Sequence, residues 1–176
     1  MENQNNKEFL KHYEPVHDQF CKFCRAISGN PVDSDDLIQE SILNVILSFD
    51  KIKNKTAFKT YLYSVASNLN KMKQRRNKFK AKFSEEEINQ IIDISKNPEY
   101  LTDFMIIYEK ILSLPSKTSE SIILYYISDL SVEQIQKIQG GTIAGVKSRI
   151  KRGREKVLSL LNTKKQVKMA LMLLTI

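Results

Sequence analysis

The chain has 176 residues, of which 41% are hydrophobic and 27% charged, with only five Gly and four Pro. This composition supports a packed core and excludes a wholly disordered chain, and the length suits one compact domain or two small ones. The formal net charge of +8 is compatible with a nucleic-acid partner but also with many other proteins. The distribution of charge therefore matters more than its total.

Basic residues concentrate in two separate stretches. Eleven Lys or Arg and no acid lie between Lys51 and Lys82, and ten lie between Lys137 and Lys168 with Glu155 as the single acid. Two basic surfaces would suit a ligand that is long and anionic. Two solvated helix faces are the alternative, and charge alone does not separate the two interpretations.

No export or membrane signal is visible in the sequence. The first eleven residues are polar and lack the apolar core of a signal peptide. No run approaches the ~18 apolar residues that a membrane-spanning helix needs. Two cysteines without an export signal indicate a reducing compartment. We therefore expect a cytoplasmic protein that does not insert into a membrane.

Apolar residues recur at helical spacing along the first half of the chain, and no segment alternates convincingly as a strand would. A first helix is predicted over residues 14–27, with Pro15 in its first turn and Gly29 just beyond its end. A second helix is predicted to begin at Asp33, whose carboxylate would cap it. Asp35 would then face the positive end of the helix dipole.

A third helix is predicted after a loop over residues 50–56. Its apolar stripe consists of Phe58, Leu62, Val65, Leu69 and Met72. After Lys82 the sequence becomes acidic and weakly patterned. We therefore assign residues 1–82 to a first domain and residues 83–99 to a linker.

A second helical domain is predicted over residues 100–163, followed by an apolar tail over residues 164–176. The tail is more apolar than a free C-terminus should be, so we expect it to pack on this domain or on a partner. The predicted fold class is all-α, with two small helical domains joined by a linker.

Two short elements of the second domain predict a helix-turn-helix. Ser131 can cap a short helix, Gly140 and Gly141 supply a tight turn, and Thr142 can cap a second helix that runs to about Leu161. Basic and small polar side chains on one face of the second helix suit entry into the DNA major groove. An amphipathic surface helix decorated with solvated lysines is the alternative. The candidate DNA contacts are Thr142, Ala144, Lys147, Ser148, Arg149, Lys151 and Arg152.

Several motifs resemble those of the main bacterial sigma family. Region four is resembled by Leu114-Pro115, Leu130-Ser131-Val132-Glu133-Gln134-Ile135, Gly145-Val146-Lys147-Ser148-Arg149 and Arg152-Gly153-Arg154. Region two is resembled by Ser34-Asp35-Asp36-Leu37-Ile38-Gln39-Glu40, Tyr61-Leu62-Tyr63-Ser64-Val65-Ala66-Ser67-Asn68-Leu69 and Arg75-Arg76. Their order and spacing look like the extracytoplasmic-function (ECF) group, which keeps only these two regions and a linker.

The resemblance implies a factor that directs core RNA polymerase to promoter DNA and has no catalytic site. It implies that the helix beginning near Asp33 docks on the polymerase through Asp35, Asp36, Gln39 and Glu40. Acids at a helix N-terminus are the alternative explanation for Asp35 and Asp36, but not for Gln39. The resemblance also implies that the helix-turn-helix binds the minus-35 promoter element. Members of the group are also commonly held inactive by an anti-sigma factor.

The resemblance further implies that the first domain engages the melted minus-ten element. Unstacked bases need pockets, polar contacts and aromatic rings, and the phosphates need cations. The candidate residues are Lys51, Lys53, Asn54, Lys55, Tyr63, Asn68, Asn70, Lys71, Arg75 and Arg76. A solvated basic face is the alternative. For Phe58 and Tyr61 we favour a packing role.

The sequence departs from the family pattern at four positions. Tyr61 stands where the family usually has Trp, Gly145 where it has Thr, Gly153 where it has Ala, and Ile143 at a usually polar site. Each Gly costs ~0.5–1 kcal/mol relative to Ala inside a helix, so we expect the second helix of the motif to be frayed until DNA binds.

No metal, cofactor or catalytic site is predicted. His17, Cys21 and Cys24 share one face of the predicted first helix, but a structural zinc site normally takes four ligands, and buried free cysteines are common in cores. With two His and no phosphate-binding loop or nucleophile motif, nothing indicates an enzyme or a small-molecule substrate.

Two other functions remain open from the sequence. A stand-alone helix-turn-helix transcription regulator would explain the second domain but leave residues 33–76 without a purpose. A protein that binds a sigma factor or a polymerase subunit without touching DNA would leave the two basic stretches unexplained.

Overall fold

The computed structural model describes residues 2–29, 31–52, 54–76 and 101–174. All the regular secondary structure among these residues is helical, which confirms the predicted all-α class. The chain divides into two compact units, represented by residues 2–76 and 101–174 of the described part. The predicted linker lies outside the described residues.

The first unit is a helical bundle with short 3-10 turns between its longer helices. The helices are α1 (Glu2–Tyr13), α2 (His17–Ser28), α3 (Pro31–Ser48) and α4 (Phe58–Arg76). The most extensive packing is that of α3 against α2 and α4. Helix α3 therefore packs between α2 and α4, and its outer face is exposed to solvent.

Aromatic rings form much of the core of the first unit. The ring centroids of Phe9, Phe49 and Phe58 lie 5.7–5.9 Å apart in edge-to-face pairs, a favourable arrangement for aromatic side chains. Phe9 belongs to α1, a helix that the sequence did not predict. Residues 2–6 are polar, so the helical pattern of α1 rests on few apolar side chains.

The helix starts differ from two predictions. The predicted helix over 14–27 is a 3-10 turn over Glu14–Val16 followed by α2. Helix α3 begins at Pro31, so Asp33 lies inside the first turn and not at the cap, which makes the capping prediction wrong. Proline suits this first position because its missing N–H would have no helical partner there.

The second unit contains five helices in its described residues, and one of them continues as a π-helical turn over Ile123–Ile127. They are α5 (Leu101–Leu112), α6 (Ser116–Ile122), α7 (Val132–Gln139), α8 (Ile143–Ser159) and α9 (Lys164–Leu173). Helix α8 packs on α5, α6 and α7, whereas α9 packs on α5. The tail that was expected to pack on this domain or on a partner thus packs on the domain itself.

The helix-turn-helix forms with the predicted caps. Ser131 Oγ accepts from Gln134 N at 3.2 Å while Gln134 Oε1 accepts from Ser131 N at 2.9 Å, a complete capping box at the start of α7. Gly140 and Gly141 have φ angles of 70° and 88°, the left-handed region that favours glycine. Thr142 Oγ1 then accepts from Gly145 N at 3.0 Å and caps α8.

Gly153 lets α8 approach α6 closely. A Cβ atom at this position would lie 2.7 Å from Thr118 Cγ2 and 2.8 Å from Ile122 Cδ1. Helix α8 is continuous through both of its glycines, so the expected fraying is not seen in its backbone. The conformational cost of Gly153 is offset by packing that a larger residue would disturb.

The change Gly153→Ala should therefore destabilise the second unit by about 1 kcal/mol. The gain of ~0.5–1 kcal/mol in helix preference is outweighed by overpacking, which typically costs ~1–3 kcal/mol. Hydrogen exchange of the α8 amides would report this loss for the second unit alone.

The variants Thr118→Ser and Ile122→Val remove the two atoms that would collide with the new Cβ. The triple variant with Gly153→Ala should lose less free energy of unfolding than the sum of the losses in the three single variants. Slower α8 exchange in Gly153→Ala alone would contradict the packing argument.

Candidate nucleic-acid and polymerase interfaces

Helix α8 presents a basic face to solvent because its opposite face is buried. Val146, Ile150, Gly153 and Val157 lie in the core of the second unit. This burial turns the side chains between them outward. Exposed on the outer face are Thr142, Ala144, Lys147, Lys151 and Arg152, while Ser148 is half-buried. Lys147 and Lys151 are one helical turn apart and can follow a phosphate backbone or reach base edges.

Arg149 differs from the other predicted contacts of α8. Its guanidinium is half-buried and donates from Nη1 to Gln139 Oε1 at 2.6 Å. Ser121 Oγ lies 3.4 Å from the same nitrogen. The structure thus holds Arg149 against α6 and α7, away from the neighbouring lysines that face solvent.

Helix α4 divides its predicted minus-ten residues between the surface and the core. Asn68 and Arg75 are exposed, and the half-buried Lys71 donates to Ser67 Oγ at 2.8 Å. Tyr63 and Asn70 are buried instead. The side chain of Arg76 lies outside the described part of the structure.

The structure places Tyr63 and Asn70, two of the predicted DNA contacts, in the core of the first unit. The Tyr63 ring lies between Phe20 and Phe23, with centroids 5.5 and 4.8 Å away. Asn70 Nδ2 donates to the Ile27 carbonyl at 2.9 Å, which satisfies a carbonyl near the end of α2. Both side chains hold α4 against α2, so we assign them a packing role.

The loop before α4 is anchored by one of its predicted DNA contacts. Lys55 Nζ donates to the Phe49 carbonyl at 2.8 Å and lies 3.4 Å from the centroid of the Phe49 ring. A cation over an aromatic face is stabilised by the negative potential of the ring. Lys51 and Asn54 are exposed, and Lys53 lies outside the described residues. Because Lys51 and Asn54 are exposed, this geometry favours them over Lys55 as candidate DNA contacts of the loop.

Phe58 and Tyr61, for which a packing role was favoured, differ in exposure. Phe58 is buried, whereas Tyr61 is 37% exposed, with its hydroxyl 3.0 Å from Ser48 Oγ. Tyr61 thus connects α4 to the end of α3 and still offers part of its ring to solvent.

The outer face of α3 combines acids with apolar side chains. All four predicted docking residues, Asp35, Asp36, Gln39 and Glu40, are exposed. Lys73 Nζ lies 3.9 Å from Asp36 and 3.6 Å from Glu40, but such surface ion pairs are weak.

The apolar part of this face was not predicted from the sequence. Leu43 and Leu47 are 57% and 73% exposed, one helical turn apart, and Ile46 beside them is 38% exposed. Apolar patches with a polar rim usually mark a protein contact. Their signal in the sequence is that they lie off the helix face marked by Ile38 and Val45, which are seven residues apart and both buried.

The cysteines lie in the core of the first unit. Cys21 and Cys24 are buried, and Cys21 Sγ lies 3.8 Å from His17 Nε2. His17 Nδ1 is hydrogen-bonded to the Tyr13 hydroxyl at 2.8 Å. Burial raises the pKa of the Cys21 thiol despite the opposing charge of Arg25. Burial likewise holds the pKa of Cys24 well above its usual value.

Neither a metal centre nor a membrane span is evident in the part of the chain that the structure describes. No group of three or more His, Cys, Asp or Glu side chains within it is arranged to hold a metal ion. Within the same residues, no helix combines the length and hydrophobicity that a membrane crossing requires.

Comparison with known protein families matches each unit separately. The sequence model of sigma-70 region 2 matches residues 12–80, and that of sigma-70 region 4 matches residues 104–157. These ranges contain α3 and α4 in the first unit and, in the second, the helix-turn-helix up to residue 157 of α8. The chain belongs to the sigma-70 family, in its ECF group.

The alignments with curated relatives cover most of this sigma factor and most of each relative. It is 28% identical over 151 residues to the ECF RNA polymerase sigma factor SigW of Bacillus subtilis, covering 78% of this chain and 80% of the relative. It is 24% identical over 139 residues to EcfG of Rhodopseudomonas palustris, covering 79% and 77%. It is 28% identical over 145 residues to the sigma-E factor of Haemophilus influenzae, covering 76% of each.

The buried thiols make a testable prediction about reactivity. A thiol reagent attacks the thiolate, and burial limits both the access of the reagent and the ionisation of Cys21 and Cys24. We expect labelling by Ellman's reagent in native buffer at pH 8 to be at least tenfold slower than in urea. The variant Cys21→Ala should slow native labelling further, because Cys24 is fully buried.

The same pKa shifts set the sign of a pH effect. A thiol whose pKa is raised on folding contributes stability below the unfolded pKa of ~8.5, and that stability is lost as the pH rises through the folded value. The free energy of unfolding should therefore fall above about pH 8.5. Rapid, stoichiometric labelling of the native protein would contradict the expected slow labelling. A free energy of unfolding that stays constant in denaturant titrations above pH 8.5 would contradict the expected pH effect.

Proposed function

We propose that this sigma factor divides its work between its two units. The first unit docks on core RNA polymerase through α3 and engages melted minus-ten DNA through α4 and the preceding loop. The second unit binds the minus-35 element with the outer face of α8. Promoter recognition and transcription initiation are the activities of the family, and the catalytic groups for RNA synthesis would all belong to the polymerase.

The observation that carries the DNA assignment is the basic face of α8. Lys147, Lys151 and Arg152 are exposed on a helix whose other face is buried and which follows a capped turn. The second helix of a helix-turn-helix enters the major groove, where Arg and Lys reach guanine edges and phosphates. Thr142, Ala144 and Ser148 near the start of α8 would complete the contact surface.

The polymerase assignment rests on the mixed face of α3. Leu43 and Leu47 supply exposed apolar area, and Asp36, Gln39 and Glu40 supply a polar rim one to two turns away. A well-packed interface typically has an apolar centre and a polar rim of this kind. The proposed docking surface therefore includes the exposed leucines and runs along α3 from Asp35 to Leu47.

On the minus-ten side we propose the exposed residues and leave Tyr63 and Asn70 aside. Asn68 and Arg75 project from α4, and Lys51 and Asn54 project from the loop. Lys71 could contact a phosphate if its hydrogen bond to Ser67 Oγ were broken. Tyr61 supplies the half-exposed aromatic ring on which an unstacked base could lie.

Partners follow from this division. Core RNA polymerase and promoter DNA would both be met in the cytoplasm, where we expect the protein to act. An anti-sigma factor is a further proposed partner, on the strength of the family resemblance and not of any observed contact. A stand-alone regulator is not favoured, because it would leave the region 2 match over residues 12–80 without a role.

The triple change Lys147→Ala, Lys151→Ala and Arg152→Ala should weaken promoter binding by the holoenzyme. Each lost phosphate contact lowers the slope of log affinity against log salt by about 0.9. Salt titrations on a promoter found by mapping transcript starts would measure the slope. Affinity for core polymerase should be unchanged, because the proposed docking surface lies in the other unit.

A matched control removes the same charge elsewhere in the second unit. Lys110, Lys164 and Lys168 lie on α5 and α9, outside the helix-turn-helix. Their replacement by Ala should leave the salt slope nearly unchanged. An equal loss of slope in the control would show that net charge, and not the face of α8, governs binding.

The double change Asp36→Ala and Gln39→Ala should raise the dissociation constant for core polymerase roughly tenfold, the effect of a loss of about 1.4 kcal/mol. DNA binding by the second unit should be unaffected. Asp18→Ala with Gln19→Ala makes the same chemical change on α2 and serves as the control. Parallel loss of both activities in one folded variant would refute the division of labour.

A further inference from the structure

Four polar side chains form a connected network where α6, α7 and α8 meet. Arg149 Nη1 donates to Gln139 Oε1 at 2.6 Å, and Gln139 Nε2 donates to Glu120 Oε2 at 2.7 Å. Ser121 Oγ lies 2.7 Å from Gln139 Oε1 and 3.4 Å from Arg149 Nη1. The amide of Gln139 therefore relays between a cation on α8 and a carboxylate on α6.

The amide orientation of Gln139 is determined by its neighbours. Its oxygen accepts from Arg149, and its nitrogen donates both to Glu120 and to the Lys117 carbonyl at 3.2 Å. An amide has two donors and an acceptor oxygen with two lone pairs, so this environment uses nearly all of its capacity. Glu120 is only 7% exposed and Ser121 is fully buried. Bonds that involve buried charged groups are stronger than neutral ones, and removing a partner is costly.

The position of the network explains what it can do. Gln139 is the last residue of α7 and directly precedes Gly140 and Gly141. Glycines restrict the backbone little, so this turn alone does not determine the angle between α7 and α8. Arg149 lies beyond the turn, four residues before Gly153, where α8 contacts α6. The network thus joins both sides of the turn to the same supporting helix.

We propose that Arg149 is a positioning residue that acts through Gln139 and Glu120 to set the angle of α8 on its supporting helix. Its role in DNA binding is indirect: it determines where the exposed Lys147 and Lys151 point. This inference rests on the proposed function of α8 as the DNA-reading helix. Arg149 is then no longer one of the direct DNA contacts. Glu120 on α6 and Gln139 on α7 become determinants of promoter affinity although neither lies on the basic face of α8.

A reversal of the relay tests the proposal. Gln139→Glu alone places a second carboxylate where an amide N–H now meets Glu120 at 2.7 Å. Adding Glu120→Gln exchanges amide and carboxylate, so that Glu at 139 can accept from both Arg149 and the new amide, although it can no longer donate to the Lys117 carbonyl. We expect Gln139→Glu to raise the Kd for promoter DNA about tenfold, comparable to one mismatched base pair, and the exchange to restore most of the lost affinity.

The control for net charge is Gln139→Glu combined with Glu109→Gln. Glu109 is exposed on α5 and takes no part in the observed network, and this pair has the same net charge as the relay reversal. It should not restore binding. Restoration by both pairs would show a long-range charge effect and overturn the proposal.

Salt dependence separates positioning from direct contact. Arg149→Met should raise the Kd about tenfold with the salt slope nearly unchanged, whereas Lys151→Ala should lower the slope by about 0.9. The probe is the duplex that wild-type holoenzyme recovers from a random-sequence library. A slope lowered by about 0.9 in Arg149→Met would assign a phosphate contact to Arg149 and overturn the proposal. So would an unchanged Kd in a folded Gln139→Glu variant, because the network would then serve stability alone.

Failure of the proposed function gives a different result. If wild-type holoenzyme recovers no duplex, the DNA role of α8 fails, whereas the relay itself is still tested in the free chain. Hydrogen exchange of the α7 and α8 amides should then accelerate in Gln139→Glu and recover in the double variant with Glu120→Gln. Unchanged exchange in Gln139→Glu would show that the relay does not hold these helices together.

Discussion

The packing of one face of α8 against the rest of the second unit is the constraint on which its function depends. Val146, Ile150 and Val157 are buried, and Gly153 lets the backbone approach Thr118 and Ile122. Once this face is committed to the core, Lys147, Lys151 and Arg152 point to solvent, whereas Arg149 at the edge of the buried face bonds to α6 and α7. The basic surface is therefore a geometric consequence of burial. A change in the tilt of α8 would redirect all of its cations together.

In the first unit, too, burial of one helix face decides which side chains are exposed, but here polar side chains belong to the buried face. Helix α4 packs through Tyr63 against two phenylalanines and through Asn70 against the carbonyl of Ile27. Asn70 is compatible with burial because it finds a backbone acceptor. Tyr63 buries a large apolar ring, while its buried hydroxyl has no hydrogen-bond partner among the described residues. Asn68 and Arg75 lie on the remaining surface, where they can meet a nucleic acid.

Separate units suit a ligand with separate recognition elements. The cations of α4 and those of α8 lie on helices of different units, and each helix packs in the core of its own unit. The acidic and apolar face of α3 belongs to the first unit only. If polymerase docking and minus-35 binding are divided between the units as proposed, variants that lose one activity and keep the other are expected.

The sequence by itself determined the fold class, the two helical domains and the family. It also identified the caps at Ser131 and Thr142 and the turn at Gly140 and Gly141. These features depend on local chemistry, namely helical periodicity, side-chain caps and glycine's access to positive φ, and local chemistry is readable over a few residues.

Only the tertiary structure decided which polar residues face inward. Asn70 meets a carbonyl 43 positions earlier in the chain, and Arg149 meets a glutamine ten positions earlier across a turn. No periodicity encodes such partners, because they depend on how whole helices pack. The benefit of Gly153 was invisible for the same reason. Helix preference is a property of the residue, whereas the space next to its Cα belongs to the neighbouring helix.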